Sequence, residues 1–477
     1  MQTVSSIQQL PRQAWLLRLD SNGISGAAGT GVMRGADWLY EGGFACTDHP
    51  RSLSTSGVYL GSGAAWDGQT LSLIAPSHTL DAVYILQARG VTYASNSLPF
   101  VMTASGKRNL PIVKMKSAIG SVRNGVRAYV REIYSTTELR LFRYLNAIVR
   151  CSPGSDPIEI PQMADLSRIH SFETYRDYLI SMIQDVSRNY GSRGITVYLS
   201  SGYDSTACAA LAKASGLECT AISVDQARTR QPDEGTAVAQ ALGIPIVTLK
   251  RPDRRFVIDQ RDRVLDCLTD SDFERLSDFY IGTHVEDECL SAPAELLAGR
   301  TILTGYHGDR VWDPLYASGD NLCRKGSSGA CMGEFRLRVG FVHIPVPMLA
   351  FGAHATLQRI GRSREMRPWR KVRNTRIKFL QIPVNPIAIK SHPMVAAIGH
   401  FSKKVADWRT HSGYDRPIAR RIAEEMGVPR EAFGQRKLAA ATLVQDQEME
   451  AVAPQLLERL LVRYDIAAQL ILSAAAA

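Results

Sequence analysis

The chain has 477 residues, room for about two or three domains, and its 45% hydrophobic content is that of a globular protein with a sizeable core. Lys and Arg number 56 against 46 Asp and Glu; the net charge of +10 points to an acidic partner, such as a nucleotide, a nucleic acid or an anionic substrate. No continuous apolar stretch is long enough to cross a membrane, and "MQTVSSIQQLPRQAWLL" lacks the basic-then-apolar order of a secretory signal, so a cytoplasmic protein with no membrane partner is expected.

Residues 1–115 read as a β-rich domain. Short apolar runs ("AWLLRLD", "DWLYEGGFACT", "SGVYLGSG", "LSLIAP", "AVYILQARGVTYASN") are separated by Gly, Asn, Asp and Ser turns, as an antiparallel sheet or sandwich requires. Residues 116–164 mix helix and strand character and read as a connecting segment. Residues 165–470 read as a second domain. Its first element, "SFETYRDYLISMIQDVSRNYG", is amphipathic with helical period. A strand from Ile195, a helix from Ser205, the strand "CTAISVD", the helix of "DEGTAVAQALGI" and the strand "PIVTLK" follow. After the helical "VEDECLSAPAELLAG" comes an apolar strand from Thr301, and the remainder reads as mainly helical. Strands alternating with helices predict an α/β fold with a mostly parallel sheet. The eight cysteines form no CxxC pair, and Cys323 and Cys331 are too far apart for a zinc knuckle; reduced, buried thiols are expected.

The stretch "LSSGYDST" carries the chemistry. A strand that runs through a polar turn straight into a helix can hold a phosphate, because the first helical N–H groups are unpaired and the helix dipole favours an anion. Small hydroxyl residues and a glycine let the backbone approach phosphate oxygens. The competing reading is an ordinary turn in which Asp204 or Ser205 only caps the helix. A second strand end, Gly305–Asp309, also carries Gly and Asp. Ligands in such sheets bind beyond the carboxyl ends of the strands, and aspartates on two strand ends can share a Mg²⁺ that bridges phosphate oxygens.

These segments are similar to the motifs of the asparagine synthetase-like ATP-pyrophosphatase (PP-loop) family. "SSGYDST" resembles that family's Ser-Gly-Gly-X-Asp-Ser loop, with Ser201 where the first glycine is usual. "LTGYHGDRVWD" resembles its second motif through Gly305, Gly308 and Asp309, while Tyr306, His307 and Arg310 depart from it. "GEFRLRVGFVHIPV" matches Glu334 and Arg336 of a third motif, and "YDRPIARRIAEEMGVPREAFGQRKLA" places Lys437 on the lysine that contacts pyrophosphate. "GVTYASNSLPFVM" resembles the late strands of the family's glutaminase half, yet the chain begins Met-Gln and its first cysteine is Cys46. A thiol there could not use its own α-amine as base, so the resemblance implies a degenerate glutaminase-like domain, as in β-lactam synthetases.

The fold implied is adenine nucleotide α-hydrolase-like, and the activity is an AMP-forming ligation with ATP and Mg²⁺ as cofactors. A carboxylate or carbonyl oxygen of a small or carbohydrate-type substrate attacks the α-phosphate of ATP, and a nitrogen nucleophile then displaces AMP. The resemblance assigns Ser200, Ser201, Gly202, Tyr203, Asp204, Ser205, Gly305 and His307 to ATP and pyrophosphate, Asp204 and Asp309 to the metal, and Lys437 and Glu334 to catalysis. A salt bridge from Glu334 to Arg336 is the plainer role for that acid. The strand "CTAISVD" is expected to line the adenine and ribose pocket, with Asp233 and Glu234 capping the next helix.

Two rival readings stand beside this one. The run from Arg362 to Lys378, with eight basic residues against one acid and with Trp369 inside it, fits a tRNA-modifying enzyme of the same ATPase class. Ser201 and Arg310 are what a degenerate nucleotide-binding scaffold would show. Expected partners are a small anionic substrate and a separate amine or ammonia donor, with nucleic acid the lesser alternative; a homo-oligomer is compatible with the sequence.

Overall fold

The computed structural model describes residues 4–106, 129–162, 172–250, 300–305, 342–343 and 417–438, apart from short gaps within them and a few isolated positions outside. It is a mixed α/β structure with a β-rich N-terminal region.

That region is built from Val4–Ser6 (β1), Trp15–Asp20 (β2), Gly23–Ala28 (β3), Met33–Arg34 (β4), Trp38–Tyr40 (β5), Phe44–Ala45 (β6) and Val58–Tyr59 (β7). Gly63–Trp66 (β8), Leu71–Ile74 (β9), Val83–Ala88 (β10) and Val91–Ser95 (β11) precede the helix Leu98–Ala104 (α1). Glu132–Ser135 (β12), Leu139–Tyr144 (β13), Ala147–Cys151 (β14) and Ile158–Pro161 (β15) follow it. One sheet has seven strands in the order β1-β3-β2-β11-β10-β13-β12, and another has six in the order β15-β14-β9-β8-β5-β4.

Alternation sets the packing. Trp15, Leu17 and Leu19 of β2 and Val83 and Ile85 of β10 belong to the same buried cluster as Leu71 and Leu73 of β9 and Ala147, Val149 and Cys151 of β14. A period of two on strands from both sheets is what a shared sandwich core demands. The β10–β11 hairpin turns through Arg89 and Gly90, both at positive φ (50° and 78°), with Ala88 paired to Val91. That is the two-residue turn whose twist matches the strands it joins.

Residues 132–161, which read as part of a connecting segment, supply four strands to these sheets: β13 pairs with β10 along its length, and β14 pairs with β9. Cross-strand hydrogen bonding to strands some 50–80 residues earlier outweighs the local mixed pattern.

The second region opens with the helix Phe172–Tyr190 (α2). Ile195–Tyr198 (β16), Tyr203–Ala214 (α3), Cys219–Val224 (β17), Thr236–Leu242 (α4) and Ile246–Leu249 (β18) then alternate, with Thr301–Thr304 (β19), Val342–His343 (β20) and Pro417–Glu425 (α5) beyond. The sheet order is β18-β17-β16-β19-β20. All pairings are parallel except that of β20 with β19, so the expected mostly parallel sheet is present. Every residue of β16 is buried, as a central strand requires.

The alanine-rich composition of α3 has a packing cause. Ala207, Ala209, Ala210 and Ala212 are all fully buried, in one cluster with Val197 of β16, Val186 of α2 and Ala419, Ile422 and Ala423 of α5. A helix enclosed on several sides is apolar all round, and small side chains let its neighbours approach closely. Proline opens α5, where its missing N–H costs nothing, and Gly427 closes it at φ 85°. Among the described residues no helix is long and apolar enough to cross a membrane. Cys151, Cys208 and Cys219 are buried and form no disulfide, and burial pushes the thiols of Cys151 and Cys219 up to about 12 and about 11.

Candidate phosphate site

The chain leaves β16 and passes through α3 to β17 and then β18 on one side, while β19 lies on the other side of β16. The crevice between the ends of β16 and β19 is therefore a topological switch point, the place where open α/β sheets bind ligands. Ser200–Ser205 occupies the end of β16, and Gly305 follows the last residue of β19.

The loop organises itself through hydroxyl groups. The Ser200 N–H donates to Ser205 Oγ (3.1 Å), the two hydroxyls of Ser200 and Ser205 share a hydrogen bond (3.0 Å), and the Gly202 N–H donates to Ser200 Oγ (3.2 Å). Thr206 Oγ1 donates to the Gly202 carbonyl at 2.7 Å. Gly202 is the N-cap of α3 and makes no side-chain cap hydrogen bond. The reading of Asp204 or Ser205 as the cap is therefore corrected: α3 starts at Tyr203, two residues ahead of Ser205, so both lie inside its first turn. The opening N–H groups of such a helix have no carbonyl within it to accept them.

Gly305 closes the crevice from the β19 side. A Cβ there would lie 2.3 Å from the Ser205 backbone nitrogen and 2.6 Å from the Asp204 carbonyl carbon, so only glycine admits this approach. Two motifs a hundred residues apart in sequence thus meet at the first turn of α3. The first turn of α3 sets its opening N–H groups beside the Ser200 and Ser205 hydroxyls, donors of the kind suited to phosphate oxygens.

Side chains divide between the crevice and its scaffolding. Tyr203 is fully buried, with its ring edge-on to Phe433 (centroids 5.7 Å) and its hydroxyl accepting from Arg430 Nη2 (2.6 Å). The Tyr203 side chain is thus committed to the 430–434 turn, and its backbone N–H is what it can offer an anion. Gly434, at φ 65°, donates its N–H to the Ser201 carbonyl (2.7 Å), and a Cβ on it would lie 2.4 Å from the Tyr203 ring. Gly434 precedes Lys437 by three residues in sequence.

Asp233 and Glu234 depart from the expected helix-cap role. The N-cap of α4 is Gly235, without a side-chain cap hydrogen bond. Asp233 instead accepts from Ser201 Oγ at 2.7 Å, while Glu234 forms an antiparallel bridge with Ser200 and accepts from Thr236 Oγ1 (3.2 Å). The cause is the reach of the loop after β17, which folds back onto the end of β16 before α4 begins. Asp233 is only 4% exposed; burial raises its carboxyl above the usual range, against the lowering effect of the Ser201 hydrogen bond.

The structure therefore brings together Ser200, Ser201, Gly202, Asp204, Ser205 and Gly305, with the Tyr203 backbone. His307, Asp309, Glu334, Lys437 and the basic run 362–378 lie outside the described residues. Among the described residues no group of three or more His, Cys, Asp or Glu forms a metal centre. Sequence reasoning missed the Ser201–Asp233 bond and the anchoring of Tyr203 by Arg430. Gly434, inside the last motif of the resemblance, was the one visible sign of the second.

No family model and no curated protein matches the chain. Among solved structures, NMN synthetase from Francisella tularensis is similar at a TM-score of 0.20 and 18% sequence identity, over 35% of this chain and 71% of that chain.

Proposed function

We propose that the protein is an ATP-dependent, AMP-forming ligase whose nucleotide phosphates rest on the N-terminus of α3. The observation that carries this reading is the convergence of Gly305 on the Asp204–Ser205 backbone at the switch point between β16 and β19. An ordinary strand-to-helix turn would not need a second strand end pressed so closely on the helix start that a single methyl group is excluded.

In this reading the N–H groups of residues 203–205 and the hydroxyls of Ser200 and Ser205 hold the pyrophosphate that departs from ATP. Asp204, half-buried on the first turn, would supply one carboxylate to Mg²⁺, an ion that needs few protein carboxylates when phosphate is bound. That ion would draw charge from the phosphoryl group. By the sequence resemblance, Asp309 supplies the second carboxylate, His307 a donor, and Lys437 and Glu334 the charge and the acid or base near the reacting atoms. The loop from Asp225 to Glu234, folded onto Ser200 and Ser201, closes the β17 side where the nucleoside would lie. The acceptor is an anionic small molecule or sugar acid, and nitrogen arrives as an amine or ammonia.

Isotope exchange between pyrophosphate and ATP, run against a panel of carboxylic acids with Mg²⁺, tests this reading. The expected result is exchange that depends on one class of acid and on the metal, and that falls by orders of magnitude in Asp204→Asn. Formation of ADP and phosphate in place of AMP and pyrophosphate would contradict it.

A further inference from the structure

Ser201 is held from two sides by chain segments far apart in sequence. Its hydroxyl donates to the Asp233 carboxylate (2.7 Å), and its carbonyl accepts from the Gly434 N–H (2.7 Å). A serine hydroxyl has one hydrogen, so this donation leaves none for a ligand, and Ser201 can act on an anion only through its backbone. The geometry shows what that backbone needs. The next residue, Gly202, has no side chain to restrict it and is the N-cap that sets the direction of α3. Because a trans peptide is planar, fixing the Ser201 carbonyl also fixes the Gly202 N–H on the opposite side, and that N–H meets Ser200 Oγ. The Ser200–Glu234 bridge runs alongside and holds the same loop.

A carboxylate buried to this degree is costly unless its bonds repay it. Asp233 is not the cap of α4 and faces the loop rather than solvent. We propose that Asp233 is a positioning residue for phosphate binding: by accepting the Ser201 hydroxyl hydrogen it locks the Ser201–Gly202 peptide and so aims the N–H groups that open α3. The inference rests on the phosphate reading above and assigns to that site a residue from a different loop.

Calorimetric titration with Mg·ATP tests it on the full chain as wild type, Asp233→Ala, Asp233→Asn, Ser201→Ala and the Ser201→Ala/Asp233→Ala double variant. Asp233→Ala and Ser201→Ala each remove the same charge-assisted hydrogen bond and should weaken binding about tenfold. The double variant should bind no worse than either single one, because there is a single bond to lose. Asp233→Asn keeps an acceptor oxygen and should restore most of the affinity. If Asp233→Ala does not fold, Ser201→Ala, which removes one oxygen atom, carries the comparison with Asp233→Asn. Wild-type affinity in Asp233→Ala or Ser201→Ala, additive losses, or an Asp233→Asn protein as weak as Asp233→Ala would overturn the assignment and leave the phosphate loop standing. A wild-type protein that does not bind Mg·ATP would overturn the phosphate reading and this inference with it.

Discussion

Single contacts decide how the candidate site is built, and Asp233 shows this most clearly. In the sequence, "QPDEGTAVAQALG" fits an acidic N-terminus on an alanine-rich helix, and nothing local argues otherwise. Its actual partner, Ser201, is 32 residues away, and a tertiary hydrogen bond leaves no periodic trace. Asp233 also gives a prediction in pH. Burial raises its folded-state pKa above 3.8, so between that value and the raised one the native state keeps a proton the unfolded chain has released. Stability therefore falls as pH rises through that window, and the cost is fully present above it. Asp233→Asn should be more stable than wild type above that window, with the difference shrinking as pH falls through it and levelling off below about 3.8. Denaturant midpoints at several pH values measure this; a constant difference across the range would contradict it.

Elements show where sequence patterns suffice and where they fail. The alternation from Ile195 to Leu249 was readable because each strand is a short apolar run bounded by Gly or polar turns. Strands β12 to β14 were not, because "REIYSTTELRLFRYLNAIVRC" interleaves arginines with apolar residues. Arg143 is 2% exposed within β13, while Arg140 sits beside Glu132 and Asp156 in a surface ion-pair group. A buried arginine on a strand breaks the period of two that would have announced it. The contact between β19 and α3 makes a second prediction. Gly305→Ala forces a methyl group against the Ser205 nitrogen and should cost about 1–3 kcal/mol through overpacking. It should also lower Mg·ATP affinity, since the helix start must shift. Unchanged melting together with unchanged affinity would show that the approach is not a constraint.

At the scale of the whole molecule, the two regions answer different questions. The N-terminal sandwich contains a buried polar group whose members satisfy one another: Ser62 donates its N–H and its hydroxyl to Glu41 Oε1 (2.9 and 2.8 Å), Trp15 Nε1 donates to Ser62 Oγ (3.0 Å), and the Trp15 N–H donates to Asn96 Oδ1 (3.1 Å). Glu41, Ser62 and Asn96 are at most 1% exposed. Groups so enclosed hold a fold together rather than meet a substrate; by the sequence resemblance to a degenerate glutaminase-like domain, we propose that this region has no glutaminase activity of its own. The purified protein should therefore release no glutamate from glutamine, and an ammonia salt or a free amine should be the better nitrogen donor; glutamate release abolished by a thiol alkylator would contradict this.

The α/β region carries the central claim that the Ser200–Ser205 turn is a phosphate loop. Its shape was legible from "LSSGYDST" and the strand ending at Gly305, but the distinction from a plain turn lay in a close approach between backbones that no sequence displays. The most direct measurement is Mg·ATP affinity by calorimetry for the wild type and Asp204→Asn, with melting temperatures recorded in parallel. The account predicts measurable binding by the wild type, a loss of about tenfold or more in Asp204→Asn because a metal-bound charge is removed, and little change in melting. Absence of Mg·ATP binding by the wild type, or equal affinity in both proteins, would contradict it.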